Sequence, residues 1–137
     1  MNNRKVYISG DIVPEVDAKI SIFDSAVLLG DTVTESTRTF NFKPFKLDEH
    51  LERLYKSFKL TRINPQMTIE EMKKVSLELL EINKDNYKAN EDCWLVHNIS
   101  RGHSITGGNP ALQVSKPTVM IYTQPMNLVL WAPFYTK

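Results

Sequence analysis

The strongest constraint in this sequence is a pair of one-sided apolar stripes at helical spacing, set one directly after the other. Leu47, Leu51, Leu54, Tyr55 and Phe58 recur at intervals of about three and four and predict a helix with a single apolar side. Asn64-Pro65 closes it, because the residue before a proline is pushed out of the α region. Thr68-Ile-Glu-Glu71 then reads as a capping box, with Met67 and Met72 placed to staple the start of a second helix. Ile69, Met72, Val75, Leu79 and Ile82 carry that stripe as far as the polar run 83–92. Helices of this kind bury their apolar side against a second layer.

The flanking sequence supplies that layer. Val6 and Ile8 on one side of Gly10-Asp11, with Ile12 and Val13 on the other, predict two short strands joined by a tight turn. Residues 19–23 (KISIF) alternate and read as a strand or a strand-like connection. Residues 32–39 (TVTESTRT) alternate and are dense in Thr and Val, which predicts a strand with one polar face. FNFKP at 40–44 suggests a hairpin into 45–47, while 93–99 and 118–123 read as buried strands. Between those last two lies 102–110, rich in small residues and long enough to be functional or mobile. The order strands, two helices, strands predicts an α+β fold: a two-layer small domain whose antiparallel-rich sheet is packed by two helices.

Length and composition narrow the function classes. A chain of 137 residues fits one domain. With 17 basic against 16 acidic residues the formal charge is +1, which argues against a chain built to coat nucleic acid or an anionic membrane. The lone Cys93 excludes an internal disulfide framework and a multi-cysteine zinc cluster. No apolar run approaches a membrane span of about 20 residues, and the opening lacks a signal-peptide core. The expectation is a cytoplasmic protein. The apolar stretch 127–135 needs a cover; the favoured reading is a fragment, with 1–124 a small α/β domain and 125–137 the start of a linker or second domain.

Few residues carry chemistry on their own. His50, His97 and His103 have no metal-ligand spacing, so no metal site is expected. His97, inside an apparent buried strand, reads as a hydrogen-bonded structural histidine, and Cys93 beside Trp94 and Leu95 as an inert thiol. Gly107-Gly108 is most simply a turn, less simply an anion-binding nest. His50, Arg53 and Ser57 follow one another at i+3 and i+4 on a polar strip of the first helix. Arg53 is then either a solvated charge beside Glu49 or Glu52, or a guanidinium suited to a bidentate grip on phosphate. On the Thr-rich strand, Thr34, Ser36 and Arg38 share one face and Val33, Glu35 and Thr37 the other. Such a strand either lines a polar pocket or is an edge protected by charge. Arg101 and His103 offer donors to an anionic group, or are simply part of a solvated loop.

Taken together, VYISGDIVPEVDAKISIFDSAVLLGDTVTESTRTF, KPFKLDEHLERLYKS and NISRG resemble the class IV pyridoxal-phosphate aminotransferases. That family includes branched-chain and D-amino-acid aminotransferases, R-selective amine transaminases and aminodeoxychorismate lyase. The resemblance runs from Val6 to about Thr123 and implies the N-terminal half of a D-amino-acid aminotransferase-like fold. It implies that Arg53, in the HLERL motif, binds the phosphate of pyridoxal 5'-phosphate. It makes Thr34, Glu35 and Arg38 candidates for the substrate wall, and brings the loop after Arg101, with His103, towards a partner subunit's site. It further implies a homodimer, a larger C-terminal domain, and an amino acid or amine exchanging with a keto acid. The family's catalytic lysine would lie beyond Lys137, so no catalytic residue is assigned within the chain. Thr34 replaces the usual pocket aromatic, and Trp94 and Val96 stand where branched-chain enzymes carry a Tyr-x-Arg pair; the subfamily is left open. The rival readings are a non-catalytic interaction module derived from this domain and a lyase.

Overall fold

The computed structural model describes residues 3–88, 91–103, 116–126 and 132–135. The first two strands, β1 (Lys5–Ile8) and β2 (Asp11–Pro14), pair antiparallel with Val6 opposite Val13. Ser9 and Gly10 make the turn, both at positive φ (47° and 119°), the hand that matches strand twist in a two-residue hairpin. An L side chain rarely adopts φ near 119°, which is why position 10 is glycine.

Four more strands complete one sheet: β3 (Thr32–Phe40), β4 (Lys43–Pro44), β5 (Cys93–Ser100) and β6 (Thr118–Pro125). Their order is β2-β1-β6-β5-β3-β4 and every pairing is antiparallel. Three helices accompany them: α1 (Ser25–Leu29), α2 (Leu47–Thr61) and α3 (Ile69–Asn83). The two long helices pack on one face of the sheet, as the stripes require. Leu51, Leu54 and Phe58 of α2 and Met72, Leu79 and Leu80 of α3 close on Val33, Leu95, Ile99, Val119 and Ile121. The predicted α+β, two-layer arrangement is the one observed.

The helix ends form for local reasons. Thr68 Oγ1 accepts the Glu71 N–H at 3.2 Å while the Glu71 carboxylate accepts the Thr68 N–H at 2.8 Å, the reciprocal capping box expected from the sequence. Met72 lies in the buried core and Met67, partly buried, packs against it. α2 stops at Arg62, which adopts a left-handed conformation (φ 57°) with its N–H on the Phe58 carbonyl.

Several expectations are corrected. Residues 19–23 form no strand; the chain runs irregularly to Asp24, whose carboxylate caps α1 through the Ala26 N–H at 2.9 Å. With five residues, α1 is too short to show a helical period. The hairpin partner of β3 is only Lys43–Pro44, because proline donates no ladder hydrogen bond and Leu47 already opens α2. On α3 the inward line is Met72, Ser76, Leu79, Leu80 and Asn83, whereas Ile82 is 43% exposed. Asn83 is no simple helix end. Its amide accepts from Lys5 N–H at 2.7 Å and donates to the Lys5 carbonyl at 2.8 Å, clipping α3 to β1. The Gly107-Gly108 turn and most of the 127–135 stretch lie outside the described residues.

His97 and Cys93 occupy the core as the sequence suggested. His97 is fully buried, with Nε2 2.7 Å from Ser76 Oγ, and burial pushes its pKa down to about 4. Burial pushes the Cys93 thiol up to about 11, which keeps it protonated and unreactive.

Two outcomes follow from this packing. Leu51 has no exposed surface and Leu60 is 86% exposed, so Leu51→Ala should cost about 2–5 kcal/mol of unfolding free energy in urea. Leu60→Ala should change it by less than about 0.5 kcal/mol. The unfolded chain protonates position 97 near pH 6.5 while the folded chain resists until about pH 4. Stability contributed by neutral His97 is therefore lost as pH falls through that window, at up to about 1.4 kcal/mol per pH unit. His97→Gln should flatten that part of a stability-against-pH curve relative to the parent protein.

Candidate functional site

The alternation of β3 sends its side chains to two different places. Thr34, Ser36 and Arg38 stand on the face away from the helices, while Val33, Glu35, Thr37 and Thr39 point into the layer beneath α2 and α3. Three of those four are apolar or small neutral residues. The fourth is a carboxylate, and at 6% exposure Glu35 needs cationic or N–H-donating partners.

α2 supplies them one turn apart. Arg53 Nε lies 2.7 Å from Glu35 Oε2 and Arg53 Nη2 lies 2.6 Å from Oε1, a two-point fork. His50 Nδ1 lies 2.8 Å from the same Oε1, and the Ser36 N–H donates to it at 3.1 Å. A carboxylate oxygen can only accept, so His50 carries a proton on Nδ1; its 3.3 Å approach to Arg53 Nη2 is therefore a contact between two donors. Burial works to raise the Glu35 pKa, but the hydrogen bonds from Arg53 and His50 and the arginine's charge outweigh it. The carboxyl is held below its ordinary value and is ionised at neutral pH. Arg53 thus pairs with Glu35 across the layer, not with Glu49 or Glu52 on its own helix.

The rest of the guanidinium is turned outward. The Arg53 side chain is 67% exposed, and its Nη1 has no hydrogen-bond partner among the described residues. What the site offers is a cation fixed along one edge with its other edge open, the donor set a phosphate accepts from.

The remaining candidates fall into three further places. Thr34 and Arg38 belong to the open face, across from Asn98 and Trp94 of β5, with Ser36 across from Val96; Met120 and Tyr122 of β6 lie beyond. Arg38 rests its guanidinium 3.9 Å over the Phe40 ring. Glu35 lies on the opposite side of the sheet, so Thr34, Glu35 and Arg38 do not make one continuous wall. Arg101 is committed elsewhere. It forks onto Asp31 (Nε–Oδ2 2.7 Å, Nη2–Oδ1 3.2 Å) and donates to the carbonyls of Arg62 and Thr61 at 2.8 and 3.0 Å. It braces the exit of β5 against the end of α2. His103 bridges to Asp24, 5.8 Å from the Phe23 ring, on a surface cavity of about 440 Å³ that also meets Lys19 and Lys116.

Sequence reasoning did not connect Glu35 to Arg53 and His50, nor Asp31 to Arg101. The first link had a usable signal: a carboxylate in the core-facing column of a strand, followed by His and Arg at i and i+3 on the next helix. Among the described residues, no cluster of His, Cys, Asp or Glu is placed to hold a metal ion, and no helix is long and apolar enough to cross a membrane.

Comparison with known proteins gives this geometry a family. The family model described as amino-transferase class IV matches residues 32–133. A putative branched-chain-amino-acid aminotransferase of Methanocaldococcus jannaschii is 38% identical over 122 residues, 89% of this chain and 40% of that protein. A D-alanine aminotransferase of Staphylococcus epidermidis is 31% identical over 120 residues, 88% of this chain and 41% of that one. Among solved structures, a T.th. branched-chain amino acid aminotransferase with pyridoxamine 5'-phosphate superposes with a TM-score of 0.77 at 26% identity, covering 91% of this chain and 41% of that one. The Escherichia coli branched-chain enzyme shares the fold at 23% identity, with a TM-score of 0.78 over 90% of this chain and 41% of that one. The chain thus spans about two-fifths of the length of these relatives. On the extent of the family match and these identities, the chain belongs to the class IV aminotransferases.

Proposed function

We propose that the protein to which these residues belong is a pyridoxal 5'-phosphate-dependent aminotransferase, exchanging an amino acid or amine for a keto acid, and that the described fold is its small domain. The observation that carries this reading is the Arg53 guanidinium, fixed by Glu35 and open along its outer edge. The relatives are branched-chain and D-alanine aminotransferases, and one solved relative holds pyridoxamine 5'-phosphate.

The residues fit the cofactor's phosphate. A dianionic phosphate needs a cation and N–H donors on a surface that keeps their direction, and Arg53 offers both. When bound, the cofactor serves as the electron sink for bond-breaking at the substrate's amine-bearing carbon. The chain's own part is binding and orientation. Arg53 would hold the phosphate, His50 and Glu35 support it from beneath, and Thr34 and Arg38 line the substrate side from the sheet's open face. Arg101 would hold the end of β5 in place through its grip on Asp31 and the end of α2. The remaining parts of the reading are a homodimer, a larger C-terminal domain carrying the catalytic lysine, and a cytoplasmic location. Production of a keto acid from a panel of amino donors separates aminotransfer from carbon–nitrogen lysis.

Arg53→Ala in the complete protein tests the assignment. Charge-assisted hydrogen bonds of about 1.5–3 kcal/mol translate into a loss of roughly 10- to 100-fold in pyridoxal 5'-phosphate affinity, read by titrating the visible absorbance. Far-ultraviolet circular dichroism should show the fold retained. Unchanged cofactor affinity in the folded variant would remove Arg53 from the site.

A further inference from the structure

We infer that Glu35 is a positioning residue for phosphate recognition: it presets the Arg53 guanidinium so that only its outer edge is offered to the ligand. The inference rests on the reading of Arg53 given above. A guanidinium has five N–H donors on two usable edges. Glu35 takes the side edge, through Nε at 2.7 Å and Nη2 at 2.6 Å. The end edge, with one proton of Nη1 and the second of Nη2, stays free for a planar two-point contact.

An exposed arginine on a helix ordinarily samples many rotamers and must be ordered when it binds. Here that ordering precedes the ligand, because Glu35 is itself immobile. Its backbone sits in the β3–β5 ladder opposite His97, its carboxylate is 6% exposed, and Oε1 also receives the Ser36 N–H and the His50 ring proton. The direction of the open edge is therefore set by the sheet, not by the solvent-facing helix surface.

A competing effect has the opposite sign, which makes the role testable. Glu35 carries a negative charge close to where a phosphate would lie, so on charge alone its removal should tighten binding. On positioning, Glu35→Gln weakens binding: the amide keeps one acceptor oxygen but sets an N–H against the Arg53 or His50 donors.

The test uses the complete protein and two probes, pyridoxal 5'-phosphate and unphosphorylated pyridoxal. Glu35→Gln should weaken the phosphorylated probe about 10-fold or more, as expected for loss of a charge-assisted bond, and leave pyridoxal affinity unchanged. Introduced on top of Arg53→Ala it should have no further effect. Equal weakening of both probes would mean that Glu35 merely supports the fold, and tighter binding of the phosphorylated probe would mean that charge dominates; either overturns the inference. A parent protein that fails to bind pyridoxal 5'-phosphate, or an Arg53→Ala variant that binds it as well as the parent, overturns the underlying reading and this inference together. A loss with Arg53→Ala but not with Glu35→Gln overturns only the positioning role. If Glu35→Gln does not fold, nitrogen-15 relaxation of the Arg53 Nε–H in the ligand-free parent decides: a rigid, slowly exchanging proton is expected, and a freely rotating one refutes the role.

Discussion

A charge placed in the core-facing column of a strand dictates much of what surrounds it. Glu35 is ionised and nearly enclosed, and such a group is tolerated only where cations and N–H donors meet it directly. Arg53, His50 and Ser36 do so. These contacts hold α2 against β3 in the rotation that its apolar stripe already favours. They also explain why an arginine that is largely solvent-exposed is nonetheless held in one orientation.

The fold was legible in the sequence because its elements are long and regularly patterned. Both long helices carried their period, and α3 its start signal in the Thr68/Glu71 cap, whereas α2 ends at Thr61, ahead of the Asn64-Pro65 breaker. The Thr-rich alternation of β3 gave its strand and its two faces. What escaped notice was short or non-local. α1 has five residues, and β4 is a two-residue stub. Neither the Asn83 clip to β1 nor the Arg101 brace to Asp31 leaves a local trace, since the partners are 78 and 70 residues apart. The candidate site divides in the same way. Arg53 was singled out by its place in a helix motif, whereas the resemblance grouped its partner Glu35 with Thr34 and Arg38 although the strand's alternation already set them on opposite faces. A two-residue period separates Glu35 from both of them onto the other side of the sheet.

The sheet is consequently asymmetric. Its helix-covered side is a sealed core with a neutral histidine and an inert thiol. Its other side presents Thr34, Ser36, Arg38, Asn98, Met120 and Tyr122, a mixture of hydrogen-bonding, cationic and apolar groups of the kind that lines ligand surfaces. In this arrangement Glu35 joins the two functions: its backbone belongs to the sheet that builds the open face, and its side chain reaches through to the arginine on the covered one. The chain spans about two-fifths of its relatives' length, and this junction lies wholly within it.

The Arg101 brace has a mechanical consequence. Its bonds to the carbonyls of Thr61 and Arg62 pin the far end of α2, while Glu35 grips the helix near its middle. Two fixed points on one rod remove both its freedom to slide along its axis and its freedom to roll. Any adjustment at the position of Arg53 must then come from bending side chains or from shifting sheet and helix together as a single rigid plate.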